Sequence, residues 1–369
     1  MWQITNNLNW DHLTKSFSWI RDMEGVPQDP IFHAEGDVAV HTRMVLEALQ
    51  ALPSFQALEE QAQHILLAAA LLHDVEKRTC TLVQEDGRIS SPRHAQKGEY
   101  TARQVLYQDI PAPFSIREEV AKLVRYHGLP LLLFEKSNPQ QYLLQTSLEV
   151  DTQLLSILAQ ADVQGRICAD QEELSYQIQC FDEYAREQTC FGEAYPFSSA
   201  LSRFTYFQQT EGSPMYEPFD NTWSEVVLMV GLPGMGKDSY IQQHLPGLSV
   251  ISLDNLRRKH KVTHRDQKGN GQLIQFALEE ARTYLRRKEP FVWNATNLTR
   301  STRKRLIDLF ASYRARVRIV YVEVPFQQWQ QQNLEREYAV PTRIVMKMLR
   351  RLDVPSVVEA HQVDYAIKA

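Results

Sequence analysis

The sequence lacks any hydrophobic run that approaches the ~20 residues needed to span a bilayer. Its N-terminus, MWQITNNLNWDHLTK, has no basic start followed by an apolar stretch, so we expect no signal peptide, a cytoplasmic location and no membrane partner. The four cysteines lack C-x-x-C spacing, which favours reduced thiols over disulfides or a zinc site. Internal repeats and low-complexity tracts are also missing. The remaining composition, with 43% hydrophobic and 23% charged residues, is typical of a soluble globular protein.

The net charge of −5 conceals an imbalance between the two halves of the chain. Residues 1–220 carry 16 basic and 31 acidic side chains, or −15, whereas the remainder carries 24 against 14, or +10. Part of this charge is solvated surface, but the imbalance favours a polyanionic ligand for the C-terminal half. A length of 369 residues predicts two domains.

Hydrophobic periodicity divides the chain at about the same place. Segments 38–50, 60–75, 115–127 and 148–165 have helical spacing, and the pattern fades around 192–222, where Pro, Ser, Gly and aromatic residues collect. Beyond that boundary, the short runs EVVLMVG, LSVISLD, FVWNAT and RVRIVYVEV alternate with helical stretches, as buried parallel strands do. We therefore predict an all-α domain over 1–210, linker included, and an α/β domain with a parallel sheet over 211–369.

The strand EVVLMV runs directly into GLPGMGKDS, a glycine-rich loop of the Gly-x₄-Gly-Lys type, and then into a helix. Backbone N–H groups of such a loop and of the helix N-terminus wrap nucleotide phosphates, which the lysine also reaches. The predicted nucleotide-binding residues are Gly231, Leu232, Pro233, Gly234, Met235, Gly236, Lys237, Asp238 and Ser239.

Asp238 stands where a loop of this type normally carries Ser or Thr, whose hydroxyl binds the Mg²⁺ of the nucleotide. Three interpretations remain open. Asp238 can bind Mg²⁺ itself, directly or through water; Ser239 can take that role; or the loop has lost catalysis. Further residues favour a working site: the second strand ends in Asp254, a candidate base; Arg257 is suited to a substrate phosphate, and Arg336 is suited to the transferring phosphoryl group.

Each of these residues also has a structural interpretation, Asp254 as a helix cap and both arginines as surface charges. Together, the loop, Asp254-x-x-Arg257, the N294-A-T-N-L-T segment and the Arg336…Val340-Pro341 segment resemble the polynucleotide 5′-kinase branch of P-loop phosphotransferases. The resemblance implies that Lys237 contacts the phosphates, Asp254 activates a 5′-hydroxyl, Arg257 holds the adjoining phosphate, and Arg336 is the lid arginine. We further expect five basic residues to contact the nucleic-acid strand: Arg257, Arg258, Lys259, Lys261 and Arg265. Tyr338, and Trp293 unless it is a core residue, are candidates for stacking on the bases.

The N-terminal half contains histidines and aspartates that are candidate ligands of a divalent metal: His41, His73, Asp74, His94, His127 and Asp162. Isolated histidines are more often core or surface residues, which is how we interpret His12, His64 and His361. The set His41, His73-Asp74 and Asp162 resembles the HD phosphohydrolase superfamily, and HAEGDVAVH is similar to the HD domain attached to bacterial tRNA nucleotidyltransferases. The resemblance implies a second ion at His94 and His127, with Asp74 as the bridging, catalytic carboxylate. Lys77, His33 and Glu35 are left as either site neighbours or ordinary surface and loop residues.

An HD domain followed by a polynucleotide-kinase-like domain resembles the bacterial HD-Pnk family of end-healing enzymes. The resemblance implies ATP- and Mg²⁺-dependent phosphorylation of 5′-hydroxyl ends, and removal of 2′,3′-cyclic, 2′- or 3′-phosphates with Mn²⁺ or another transition metal. Its expected partners are RNA ends and a ligase that acts downstream. Two alternatives remain open: an HD nucleotide hydrolase fused to a small-molecule kinase, and a non-catalytic nucleic-acid sensor.

Overall fold

The computed structural model describes residues 1–263, 266–335 and 339–368, and the chain divides into two compact units, Met1–Pro196 and Phe197–Ala369. The division falls before the break near 210 that the sequence indicates. The reason is a helix at Ala200–Gln208, which belongs to the second unit. Within that unit, the Phe204 ring stacks on His361 with centroids 3.9 Å apart, and Arg203 donates hydrogen bonds to the carbonyls of Val357 and His361.

The first unit is helical. Its α-helices are α1 Trp10–Ser16, α2 Ser18–Arg21, α3 Val38–Ala51, α4 Pro53–Gln56, α5 Glu60–Leu72, α6 Lys77–Cys80, α7 His94–Gln104, α8 Phe114–Tyr126, α9 Leu129–Leu132, α10 Pro139–Ser147, α11 Thr152–Gln164 and α12 Gln171–Glu187. A π-helical turn at Val105–Asp109 extends α7, and a 3₁₀ turn at Leu133–Glu135 follows α9. The sequence did not indicate the small antiparallel hairpin of β1 Leu82–Val83 and β2 Ile89–Ser90.

Local sequence explains where the central helices of this unit begin. Asp37 caps α3 by accepting the Val40 N–H, and Asp151 caps α11 by accepting from Gln153 and Leu154. The run from Leu66 to Leu72 in α5 is buried on all sides, as expected for a helix at the centre of a bundle. Helices α3, α5 and α11 pack on one another, and α5 and α11 also pack on α8.

The second unit is an α/β domain. After α13 Ala200–Gln208, its elements are β3 Ser224–Val230, α14 Lys237–His244, β4 Ser249–Ser252, α15 Leu253–Lys259, α16 Gln267–Arg287, β5 Phe291–Asn294, α17 Arg300–Ser312, β6 Ala315–Glu323, α18 Phe326–Glu335, α19 Thr342–Leu349 and β7 Gln362–Ile367. The strands form one parallel sheet in the order β4-β5-β3-β6-β7. The predicted fold class, a helical domain followed by an α/β domain with a parallel sheet, is confirmed.

Register brings the carboxyl ends of three strands to one edge of this sheet. Asn294 of β5 is paired with Met229 of β3 on one side and with Ser252 of β4 on the other. Ligands bind at such an edge in open parallel sheets because the connecting loops and helix N-termini converge there. The glycine-rich loop after β3 and Asp254 after β4 therefore lie at the same edge. In the part of the chain that the structure describes, no helix combines the length and the apolar character needed to cross a membrane.

Candidate metal centre and nucleotide-binding loop

Five different parts of the first unit contribute side chains to a single buried cluster. His41 lies within α3, His73 and Asp74 follow α5, and Asp162 lies in α11; His94 begins α7, and His127 follows α8. All of them are buried except His94, which is half-buried. Every metal-ligand candidate that the sequence offered is thus brought together.

Three of the histidine rings are oriented by their own backbone. His73 Nδ1 lies 2.8 Å from Ala70 O, His94 Nδ1 lies 2.8 Å from Ser91 O, and the corresponding distance for His127 and Val124 O is 2.9 Å. A carbonyl oxygen only accepts, so Nδ1 carries the proton in each ring and Nε2 is left with a lone pair in the neutral tautomer.

These Nε2 atoms converge on Asp74, whose two oxygens face different histidine pairs. Asp74 Oδ2 lies 3.3 Å from His73 Nε2 and 3.7 Å from His41 Nε2. Asp74 Oδ1 lies 3.3 Å from His94 Nε2 and 3.8 Å from His127 Nε2. The carboxylate thus stands between two potential cation positions, one on each side.

Two observations indicate that the cluster fits cations. Asp74 Oδ1 is buried and accepts no hydrogen bond from the described residues, which costs free energy unless another group balances it. His94 Nε2 and His127 Nε2 face each other at 3.4 Å, and burial is the main cause that lowers the pKa of His127 to about 3. Two neutral rings of this tautomer cannot donate to one another through Nε2. A divalent ion would satisfy both lone pairs and the carboxylate together.

The other side of the cluster carries more charge. His41 Nε2 lies 3.1 Å from Asp162 Oδ1, and Asp162 also pairs with Arg166, whose Nε is 3.0 Å from the same oxygen. Burial opposes protonation of His41, but Asp162 and Glu35 outweigh it and raise the pKa of His41. Because these carboxylates favour a positive charge on the ring, they equally favour a metal cation beside it.

Lys77 is the residue of this cluster whose role the sequence left open. Its Nζ lies 2.7 Å from Asp74 Oδ2 and donates to Gln28 Oε1 at 2.8 Å, well inside the unit. Burial alone would raise the pKa of Asp74, but Lys77 and then His73 hold it well below its usual range. Asp74 is therefore ionised and available as a ligand.

Glu35 and His33, which sequence reasoning could not separate from an ordinary loop, lie directly behind His41. Glu35 Oε1 lies 2.9 Å from His41 Nδ1 and 2.8 Å from His33 Nδ1, while Oε2 accepts the Ile167 N–H at 2.9 Å. Burial opposes ionisation of Glu35, yet these contacts, with His41 foremost, lower its pKa to about 2. An ionised carboxylate behind a histidine fixes the ring and makes it a better metal ligand.

The glycine-rich loop of the second unit has the backbone conformation that phosphate binding requires. Gly231 has a φ of +147°, Gly234 of +84° and Gly236 of +91°. A Cβ on Gly231 would lie 2.5 Å from Val322 O, so the close approach of β6 also excludes any side chain there. Gly236 then caps α14, whose first residue is Lys237.

Distant residues hold the loop in this shape. Trp329 Nε1 donates to Pro233 O at 2.9 Å, and Asn297 Nδ2 donates to Met229 O at 2.7 Å. The side chains of Leu232 and Met235 are buried, so these residues offer a ligand only their backbone. Lys237 Nζ donates to Gly231 O at 2.8 Å and to Leu232 O at 3.0 Å, which keeps the ammonium over the loop.

Asp238, the departure from the usual loop, is held by a residue on a neighbouring strand. Asn294 Nδ2, at the end of β5, donates to Asp238 Oδ1 at 2.7 Å. The Asp238 side chain is exposed, as is that of Ser239, so both remain available to a ligand. The sequence signalled Asn294 as part of a motif, but its contact with Asp238 spans 56 residues of chain and no local pattern predicts it.

Asp254 and Arg257 are paired in the structure. Asp254 is the second residue of α15, which Ser252 caps, and its Oδ1 lies 2.5 Å from Arg257 Nη1. Arg257 Nε donates to Asn270 Oδ1 at 2.7 Å. The Asp254 side chain is 60% exposed, so the pair faces solvent at the same sheet edge as the loop.

The other residues predicted to contact nucleic acid or the transferring phosphoryl group fall into three groups. Arg258 is half-buried and donates to Asn255 Oδ1 at 2.6 Å, whereas Lys259 and Lys261 are exposed. Trp293 is only 2% exposed, so it is a core residue and not a stacking surface. The predicted lid arginine, Arg336, lies outside the described residues, as do Tyr338 and Arg265.

Comparison with protein families supports the two-part organisation. Residues 38–163 match the family model described as HD domain, and residues 226–355 match the one described as AAA domain. The first range begins at the α3 helix of His41 and ends one residue after Asp162; the second contains the glycine-rich loop and Asp254. The chain therefore joins an HD domain to a P-loop kinase-like domain.

Named relatives resemble only part of the chain. A multifunctional CCA protein of Halorhodospira halophila is 35% identical over 103 residues, which are 28% of this chain and 22% of the relative. The protein of the same name from Methylococcus capsulatus is 35% identical over 117 residues, 32% of this chain and 25% of the relative. The chain thus spans about a quarter of the length of these relatives. A solved structure from Chloroflexus aurantiacus, provisionally described as a kinase, covers 40% of this chain and 86% of its own, at 14% identity and a TM-score of 0.34.

Proposed function

We propose that this chain is a bifunctional enzyme that heals nucleic-acid ends, with RNA as its preferred substrate. The second unit phosphorylates 5′-hydroxyl ends with ATP, and the first removes 2′,3′-cyclic, 2′- or 3′-terminal phosphates. The observation that carries this proposal is the presence, in one chain, of a carboxylate set between two histidine pairs and a phosphate loop that shares its sheet edge with Asp254. The two activities together produce the 3′-hydroxyl and 5′-phosphate that a ligase joins.

In the kinase reaction, the oxygen of the 5′-hydroxyl attacks the γ-phosphorus of ATP. The new O–P bond forms as the bond to the β,γ-bridging oxygen breaks, and ADP leaves. Asp254 accepts the hydroxyl proton, and Arg257 keeps the carboxylate in place through its 2.5 Å contact. Lys237 exchanges its carbonyl partners for phosphate oxygens. Asp238, steadied by Asn294, would hold Mg²⁺, which would neutralise the phosphate charge.

In the phosphatase reaction, a water oxygen attacks the terminal phosphorus and the ester bond to the ribose oxygen breaks. With a 2′,3′-cyclic phosphate, the same attack opens the ring. Divalent ions held by Asp74, Asp162 and the four histidines would supply an acidified water and neutralise phosphate charge. Lys77 and Arg166 lie beside the carboxylates and bring two positive charges to the place where the phosphate binds.

The test measures both activities in the same three proteins. Wild type, Asp254→Ala and Asp74→Ala receive a 5′-hydroxyl RNA with ATP labelled at the γ-phosphate, and separately a 3′-phosphorylated RNA with Mn²⁺. We expect Asp254→Ala to lose only label transfer and Asp74→Ala to lose only phosphate release.

Circular dichroism of each variant serves as the control for folding. If either substitution removes both activities from a folded protein, the assignment of two separate sites is wrong. If wild type binds ATP but transfers no label, the loop is not a kinase site. Faster phosphorylation of free nucleosides than of the oligonucleotide would instead favour a small-molecule kinase.

A further inference from the structure

Four large apolar side chains are exposed on two segments of the first unit. Ile31 is 70% and Phe32 is 50% exposed in the loop before α3, and Leu82 is 57% and Val83 is 64% exposed on β1. Single exposed apolar residues are ordinary, but two adjacent pairs indicate a contact surface. We call these four residues the apolar rim.

The two segments are joined through Asp29. Val83 is paired in the hairpin with Ile89, whose N–H donates to Asp29 Oδ2 at 3.4 Å. The other oxygen of Asp29 accepts the Ile31 N–H at 3.1 Å. The hairpin and the loop are therefore neighbours.

Both segments of the rim lead directly into the metal centre. Phe32 precedes His33, whose ring centroid is 4.8 Å from that of His41. On the hairpin side, β2 ends at Ser90, and the next residue, Ser91, offers its carbonyl to His94 Nδ1. A molecule that rests on the rim is thus adjacent to the histidines on both sides of Asp74.

Basic side chains outnumber acidic ones on the hairpin side of the rim. Residues 77–97 carry five basic side chains against Glu85 and Asp86, a net +3 within a half whose balance is −15. One of the five, Arg93, is exposed and has a φ of +61° in the position directly before His94. Of the other four, Lys77 pairs with Asp74, Arg78 with Asp22, Arg88 with Asp86 and Lys97 with Glu76.

We infer that the apolar rim binds the terminal bases of a single-stranded nucleic acid whose end phosphate enters the metal centre. This inference rests on the proposed phosphatase function and names the part of its substrate that is recognised. Every base has a π-face that stacks on an aromatic ring or packs on an aliphatic side chain, so the contact does not depend on the base sequence. Arg93, exposed directly before His94, attracts the phosphate that adjoins the terminal one, which a purely apolar protein partner would not require.

The experiment compares a 3′-phosphorylated RNA oligonucleotide with the same oligonucleotide carrying abasic residues at its two terminal positions. KM and kcat for phosphate release are measured with Mn²⁺ for wild type, Phe32→Ala and the double variant Leu82→Ser/Val83→Ser. Phe134→Ala is the matched control, because Phe134 is 51% exposed in the same unit and lies in a turn that carries no ligand candidate.

We expect Phe32→Ala to raise KM for the base-containing substrate about tenfold, in keeping with the value of one stacked base, and to leave kcat unchanged. Removal of the two terminal bases should raise the KM of wild type by a similar factor. With the abasic substrate, Phe32→Ala should then raise KM no further. The inference is overturned if Phe32→Ala and removal of the bases raise KM additively. It is also overturned if the Phe134→Ala control raises KM as much as Phe32→Ala does. A change in the sedimentation of Phe32→Ala also overturns it, because the rim then joins copies of the chain. If wild type releases no phosphate from either oligonucleotide, the proposed phosphatase function is what fails.

Discussion

Asn294 Nδ2 donates a hydrogen bond of 2.7 Å to Asp238 Oδ1, and this bond fixes the residue that replaces the usual Ser or Thr of the phosphate loop. One carboxylate oxygen is thereby engaged, and the other is left for Mg²⁺ or for its water. Of the three interpretations that the sequence left open, the contact favours Asp238 as the residue that positions the metal.

Asp238→Ala and Asn294→Ala are therefore expected to raise the Mg²⁺ concentration needed for half-maximal kinase rate. A factor of about ten is typical when a ligand loses its supporting partner. The measurement is label transfer from ATP across a Mg²⁺ titration, with Asp308→Ala, an exposed carboxylate on α17, as the control. Unchanged half-saturation in both variants would assign the metal to Ser239.

The φ of +147° at Gly231 predicts a severe effect of a single methyl group. Gly231→Ala adds backbone strain of about 1–3 kcal/mol and a contact of its Cβ with Val322 O, so we expect a lower unfolding midpoint and loss of ATP binding. Gly247→Ala is the control, since its φ is +84° and no atom lies within 4 Å of its Cβ. Equal losses of stability in the two variants would contradict a role for the close approach of β6.

The division of Asp74 between two histidine pairs predicts two bound ions per chain. His94→Ala and His127→Ala should each reduce the Mn²⁺ stoichiometry from about two to about one, since they leave the His41 and His73 side intact. Equilibrium dialysis with metal analysis gives this number directly. His12→Ala, which removes an exposed histidine, should leave it unchanged. A wild-type value of one would contradict the bridging arrangement.

Glu35→Gln tests the carboxylate behind His41. Removal of its charge should weaken metal binding about 10- to 100-fold without unfolding the domain, as is usual for the partner of a ligand histidine. Isothermal titration with Mn²⁺ measures the change. Glu24→Gln, at an exposed carboxylate in the preceding loop, is the control. A stability loss with unchanged metal affinity would make Glu35 a structural residue only.

Loss of the side-chain charge is expected to change protein stability in opposite directions at Glu119 and at its neighbour Glu118. Burial raises the pKa of Glu119 from 4.5 to about 7, so the folded state binds this proton more tightly than the unfolded chain does. Stability is consequently lost as pH rises from about 4.5 to about 7, by up to about 3 kcal/mol. Glu119→Gln should remove that loss and raise the urea midpoint at pH 8, while its amide oxygen still accepts the Asp151 N–H.

Glu118→Gln is the matched comparison. Burial opposes ionisation of Glu118, but Arg103 and Arg117 lower its pKa, so this substitution removes the charge that two buried guanidinium groups contact. It should destabilise the protein at pH 8. A lower urea midpoint in both variants would mean that the carboxylate of Glu119 is stabilising in its ionised form.

Sequence patterns predicted the elements whose signals are continuous or periodic. The buried runs of β3 and β6 and the helices that carry His41 and Asp162 belong to this group. The edge strand β7 was missed because half-exposed residues such as those of QVDYAI give no continuous apolar run. Helix α13 was not predicted, because periodicity fades around 192–222 and the contact of the helix with His361 spans more than 150 residues.

The residues of the candidate sites also divide into those that the sequence could single out and those that it could not. Residue type, together with the resemblance to the HD superfamily, singled out the histidines and aspartates as candidates, because few other side chains bind divalent ions. The position of Glu35 behind His41 and the contact of Asn294 with Asp238 depend on how distant segments pack. Such pairings leave no trace in periodicity or spacing.

The backbone carbonyls that orient His73, His94 and His127 have a consequence for how this centre tolerates mutation. Each ring is aimed by the main chain three residues earlier, at Ala70, Ser91 and Val124. Since every amino acid supplies that carbonyl, a change of side chain at these three positions leaves the acceptor of the ring in place, although packing still limits the change at the fully buried Ala70 and Val124. His41 alone of the four depends on another residue's side chain, so its alignment can be lost through one codon change at position 35.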